Sequence, residues 1–117
     1  MGITTHLRAE RCKPCEGGVA PMAPGAVQPY LACLSGWELS PDGTTLSREF
    51  VMKSFAAGIE LMTEIASLAE EEGHHPDIHL TGYRKLRIDL STHAIGGISM
   101  NDLIMAAKID ALSDNAP

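Results

Sequence analysis

The sequence predicts an α+β fold, a four-stranded antiparallel sheet with three helices packed on one face in the order α-β-β-α-β-β-α. Two pairs of alternating segments, 37–40 with 46–52 and 78–81 with 86–90, are each joined by turn residues. Between them lies an apolar-periodic stretch of helical length that begins behind Ser54. With only four strands and tight hairpins, the sheet is expected to be antiparallel, with its helices stacked on one face.

Residues 1–24 are rich in Gly and Pro and show neither period, so they read as an irregular N-terminal arm preceding a single domain over 25–117. Val27, Leu31 and Leu34 then recur at helical spacing, and Pro29 restricts that helix to a start near it or to a kinked first turn. Trp37-Glu38-Leu39-Ser40 alternates, Pro41-Asp42-Gly43 is turn chemistry, and Leu46, Phe50 and Met52 share one parity of the second strand. Arg48 falls on that same apolar parity and leaves the register open.

Ser54 is placed to cap the central helix. Behind it, Phe55, Ile59, Met62 and Ala66 form one apolar stripe and Leu61, Ile65 and Leu68 a second, opposite Glu60, Glu64, Ser67 and Glu71. A small sheet covers one side of such a helix. The excess width therefore suggests a partner surface, most simply a second copy in a homodimer or homotetramer formed through the 54–72 helix or the sheet edges; a deeply buried helix in a monomer is the alternative. Gly73 stops the helix and Pro76 prevents its resumption. Ile78 and Leu80, then Leu86, Ile88 and Leu90, alternate with polar residues around the turn Gly82-Tyr83-Arg84. Gly96-Gly97 marks a loop, Ser99 with Asp102 resembles a capping box, and Leu103, Ala106, Ala107 and Ile109 carry the last helix.

Composition excludes several functions. The chain has 117 residues and a net charge of −6, so it lacks the basic surface that nucleic-acid binding draws on. No apolar run approaches the roughly 20 residues of a membrane span, and the first residues lack the apolar core of a secretory signal, so a cytoplasmic protein is expected. Three cysteines, Cys12, Cys15 and Cys33, cannot all pair with one another. Cys12-Lys13-Pro14-Cys15 looks like half of a redox or zinc motif, but no second pair of cysteines accompanies it.

The chemistry concentrates between Glu70 and Asp102, where His74, His75, His79 and His93 fall close together beside carboxylates. Clustered imidazoles suit proton transfer or metal ligation. Zinc ranks lower, because Pro76 and the alternation after it put His75 and His79 in extended chain, where four residues span about 13 Å. No metal site is expected, and His79 reads as a solvent-facing strand residue.

Glu70-x-x-x-His74-His75-Pro76, six residues, Tyr83, nine residues, His93, eight residues, Asp102 resembles the signature of the pterin-4a-carbinolamine dehydratases. Trp37, Phe50, Lys53-Ser54-Phe55 and Leu90-Ser91-Thr92-His93 look like the family's other recurrent stretches. The resemblance implies the helix and hairpin order read above. It also implies an activity, dehydration of 4a-hydroxytetrahydropterin to quinonoid dihydropterin and water, with the pterin as substrate and no further cofactor. His74, His75 and His93 are carried over as the acid–base residues, with Glu70 holding an imidazole. Trp37 is carried over as an apolar wall for the flat ring, with a core position as the alternative, and Asp102 as a substrate-binding residue, with a helix cap as the alternative. The family also includes binding partners, a dimerisation cofactor of a homeodomain transcription factor and a Rubisco assembly factor, so a dehydratase-like binding protein is the alternative function.

Overall fold

The structure, a computed structural model, describes residues 2–13 and 20–114. Its elements run α1 Ile3–Ala9, α2 Pro24–Leu31, β1 Glu38–Leu39, β2 Leu46–Val51, α3 Phe55–Glu72, β3 Asp77–Thr81, β4 Lys85–Leu90 and α4 Met100–Asp114, with a 3-10 turn over His93–Ile95. All strand pairs are antiparallel, and the sheet order is β1-β2-β4-β3. The α+β class and both hairpins therefore stand as expected, with four α-helices in place of three.

The additional helix is α1, inside the arm read as irregular. Seven residues with one buried apolar anchor give no detectable period, and so short a helix forms through docking rather than propensity. Leu7 is fully buried, Arg8 Nε donates to the Ala107 carbonyl at 3.1 Å, and Thr4 Oγ1 donates to the Cys33 carbonyl at 3.1 Å. Helix α1 thus lies along α4. Pro29 also behaves differently from expectation: α2 begins at Pro24, whose fixed φ suits a first helical position, and carries Pro29 within its eight residues.

The core explains the ambiguous Arg48. Its backbone pairs with Ile88, while its guanidinium donates to Asp110 at 2.7 Å and lies 4.3 Å over the Phe50 ring. A long side chain on the inner parity therefore reaches the end of α4 instead of occupying the apolar centre.

Ser54 caps α3 by accepting from the Ala57 N–H at 3.0 Å, and Gly73 ends it in the left-handed conformation at φ 69°. The two apolar stripes of this helix separate. Leu61, Ile65 and Ala69 join the core, whereas Phe55 and Ile59 stay exposed beside Val51 at the end of β2. Among the described residues no helix is long and apolar enough to cross a membrane.

Removing the Leu7 side chain tests whether α1 belongs to the folded domain. Leu7→Ala is expected to lower unfolding stability by about 2 kcal/mol in urea titrations, near the low end for a buried leucine because α1 is terminal. Ile59→Ala, at an exposed position, should change it by less than about 0.5 kcal/mol in the isolated subunit.

Candidate active site

The corner after α3 sorts two adjacent histidines. Gly73 and His74 both return their N–H groups to the Ala69 carbonyl, at 2.9 and 3.3 Å, and Pro76 then starts extended chain into β3. The reversal turns His74 inward and leaves His75 outward.

His74 Nε2 lies 2.6 Å from Asp102 Oδ1, and the two side chains are 12% and 0% exposed. A carboxylate only accepts, so this nitrogen carries the proton and Nδ1 is left as the free ring position. The other oxygen of Asp102 accepts from Thr92 Oγ1 at 2.7 Å and from the Ser99 backbone N–H at 3.0 Å. Ser99 Oγ in turn accepts from the Asn101 N–H at 3.2 Å, so Ser99 and Asp102 form the expected capping box of α4. One buried carboxylate thus closes a helix and orients a histidine. It lines neither cleft beside the histidines, and its place is behind His74.

His75 Nε2 is 2.5 Å from Glu70 Oε2, both side chains being largely exposed. Glu70 therefore holds His75, and its tautomer is fixed in the same way as that of His74. His93 stands on the 3-10 turn, clamped by Thr92 and Gly97: the Thr92 N–H donates to the Gly97 carbonyl at 2.8 Å and the Gly97 N–H to the Thr92 carbonyl at 3.3 Å. A side chain at Gly97 would place its Cβ 2.6 Å from Pro21, which is why this loop needs glycine there. The exposed His93 ring makes no hydrogen bond among the described residues, and both its nitrogens are free.

His75 and His93 border two clefts. The first, about 370 Å³, is completed by Thr44, Thr45, Asp77, Asp89, Ser91 and Gly96. The second, about 310 Å³, adds His74, Lys13, Thr92 and Asn101. The three predicted histidines and Glu70 therefore gather at one place.

Trp37 does not join them. It is 4% exposed, its Nε1 donates to Asp110 Oδ1 at 2.8 Å, and it borders neither cleft, so it occupies the core, the alternative that the sequence left open. Burial pushes the Asp110 carboxyl up, against the opposing effects of the Trp37 N–H and Arg48. His79 is partly exposed and engages Asp89 at 3.1 Å on the strand pair.

Lys13, Thr44, Thr45, Asp77 and Asp89 escaped the sequence reading. Thr44 and Thr45 lie in a hairpin loop that the Leu46–Leu90 pairing brings to the site and that Ser91 Oγ fastens there by donating to the Thr44 carbonyl at 2.7 Å. That long-range contact leaves no local pattern.

Among the described residues no three His, Cys, Asp or Glu side chains come together as metal ligands; Cys15 lies outside the described residues. Burial, and after it the charge of Glu72, pushes the Cys12 thiol up to about 11.

A family profile described as Pterin 4 alpha carbinolamine dehydratase matches residues 20–112. The Arabidopsis thaliana protein named pterin-4-alpha-carbinolamine dehydratase 2, mitochondrial, is 41% identical over 109 residues, covering 91% of this chain; the chain spans 58% of that protein's length. A Chlorobaculum tepidum protein, provisionally named a pterin-4-alpha-carbinolamine dehydratase, is 44% identical over 110 residues, covering 92% of this chain and 98% of its own. Among solved structures, the transcriptional coactivator/pterin dehydratase from Brucella melitensis aligns with a TM-score of 0.73 at 27% identity, covering 79% of this chain and 97% of that one.

The buried junction predicts how substitutions at Asp102 behave. Asp102→Ala leaves Thr92, Ser99 and His74 with unmet donors in the interior and should cost on the order of 3 kcal/mol in thermal or urea unfolding. Asp102→Asn keeps the volume and should cost less.

Proposed function

The chain belongs to the pterin 4 alpha carbinolamine dehydratase family, and on that footing we propose that it dehydrates 4a-hydroxytetrahydropterin to quinonoid dihydropterin and water. The observation that carries this reading is the convergence of His74, His75 and His93 on one cleft with two of the rings already held by carboxylates.

The reaction removes the proton on ring nitrogen N5 and expels the hydroxyl on C4a as water after a proton reaches it. Proton count balances, because one is taken from the substrate and one given to the leaving group. Two positioned groups serve better than one, and each positioned transfer is worth roughly 100- to 10,000-fold in rate. His75, with Nε2 held by Glu70, presents Nδ1 as the base. His93, with both nitrogens free, is the group to protonate the hydroxyl. His74 is largely buried and fixed by Asp102, which suits orienting the ring more than shuttling a proton. Glu70 acts through His75 as a positioning residue.

Replacing His75, His93 and His74 singly by Ala should lower kcat/KM for generated 4a-hydroxytetrahydropterin, corrected for the spontaneous rate, by roughly 100-fold or more for His75 and His93. Full activity in all three variants would sink the catalytic reading.

An interface between copies of the chain is favoured by one observation of its own. Val51, Phe55 and Ile59 leave an exposed apolar surface at the start of α3. A solved relative is described as a pterin dehydratase-like protein that is a RuBisCO assembly factor in the alpha-carboxysome; it aligns with a TM-score of 0.58 at 26% identity over 68% of this chain and 90% of its own. The occupant proposed for this surface is a second copy of the chain, in a homodimer or homotetramer. Sedimentation at micromolar concentration should give an oligomer that Phe55→Glu shifts toward monomer; a strict monomer in the parent protein would remove the interface.

A further inference from the structure

Residues 11–13 form a strap tied to both halves of the site. The Cys12 N–H donates to Glu72 Oε1 at 2.9 Å, while Arg11 Nε and Lys108 Nζ lie 3.3 and 2.7 Å from Glu72 Oε2. Burial would raise the Glu72 carboxyl, but the Lys108 ammonium and the Cys12 N–H outweigh it and hold the carboxyl below its ordinary range. Next along the strap, the Asn101 side chain grips the Lys13 backbone twice: Oδ1 accepts from its N–H at 2.9 Å and Nδ2 donates to its carbonyl at 2.5 Å. Glu72 lies two residues before His74, and Asn101 adjoins Asp102. The Lys13 backbone is thereby fixed to the elements that carry the catalytic corner, and Lys13 borders the cleft lined by His74, His75 and His93.

Resting on the dehydratase reading above, we propose that Lys13 is the binding contact for an anionic group, phosphate or carboxylate, on the C6 substituent of the pterin. The reacting edge of the substrate is N5 and C4a, so that edge lies against the histidines. C6 is bonded to N5, and a substituent there leaves the ring from the reacting edge itself. Lys13, Gly73 and Asn101 line the same cleft as the three histidines. Lys13 is the one lysine or arginine among the described residues lining that cleft, in a chain of net charge −6. A lysine is a compact point charge suited to phosphate or carboxylate at the end of a flexible tail. The strap precedes the segment that the family profile matches.

The test compares 4a-hydroxytetrahydropterins carrying a 6-methyl group, a phosphorylated side chain and a side chain ending in a carboxylate, with the parent protein and Lys13→Gln. Fluorescence titration of the matching 7,8-dihydropterins reads binding without turnover. In the parent protein an anionic tail should improve KM and Kd about fivefold over 6-methyl, the upper range for an exposed ion pair. The ratio should fall to about one in Lys13→Gln and at high ionic strength. The phosphate and carboxylate arms identify which anion is taken. No anionic preference in the parent protein, or the same preference in Lys13→Gln, overturns the proposal. If no substrate turns over but the Lys13-dependent binding preference persists, the dehydratase reading falls and this one stands; if no dihydropterin binds, both fall.

Discussion

A single buried carboxylate organises the site. Asp102 is inaccessible to solvent, yet its two oxygens gather the His74 ring, the Thr92 hydroxyl and the Ser99 N–H. Those three groups belong to the exit of α3, the exit of β4 and the start of α4. A buried anion is costly unless its hydrogen-bonding capacity is filled, so these elements are held in one relative arrangement by the requirement to fill it. The position of His93 follows, because it comes directly after Thr92 on a turn closed by the Thr92 and Gly97 backbone pair.

From this junction the three histidines differ in environment more than in chemistry. His74 is enclosed and tied to a carboxylate that cannot move; His75 is exposed and tied to Glu70, which is exposed too; His93 is exposed with no partner among the described residues. Imidazoles of the same type thus differ in which nitrogens are engaged, because neighbours and burial set what each nitrogen can do. The exposed pair borders both clefts, and the enclosed His74 borders the second alone.

Much of this was legible in the residues. Hairpin alternation, the Ser54 cap, the Gly73 stop and the Ser99–Asp102 box are local signals, and each element they predict is present. What was not legible depends on distant contacts. Helix α1 exists because Leu7 meets α4, which no window of seven residues reveals. Trp37 could be a core residue or a ring-binding wall on sequence grounds; the partner that decides it is Asp110, 73 positions away. Arg48 broke the strand pattern for a reason that lies 62 positions later, at the same carboxylate. The residues that line the clefts from the first hairpin arrive there through Ser91 and Thr44, again across the sheet.

The same logic accounts for the arm. Residues 11–13 belong to no helix or strand, so what holds them comes from outside, from side chains that already have structural work in the domain. Glu72 meets Lys108 across the α3 and α4 contact and spends its remaining oxygen on the Cys12 N–H. Asn101 sits in the capped first turn of α4 and offers its amide to Lys13. The arm is therefore registered against the two helix ends that meet at His74 and Asp102. A shift of the arm along the domain would break the Glu72 and Asn101 contacts together. The half-buried Cys12 thiol, pushed up by burial and by Glu72, stays protonated at neutral pH, as a structural side chain at that contact should. The Cys12 part of the CxxC sequence is accordingly placed as an anchor beside the histidines, with the adjacent Lys13 carried to the cleft.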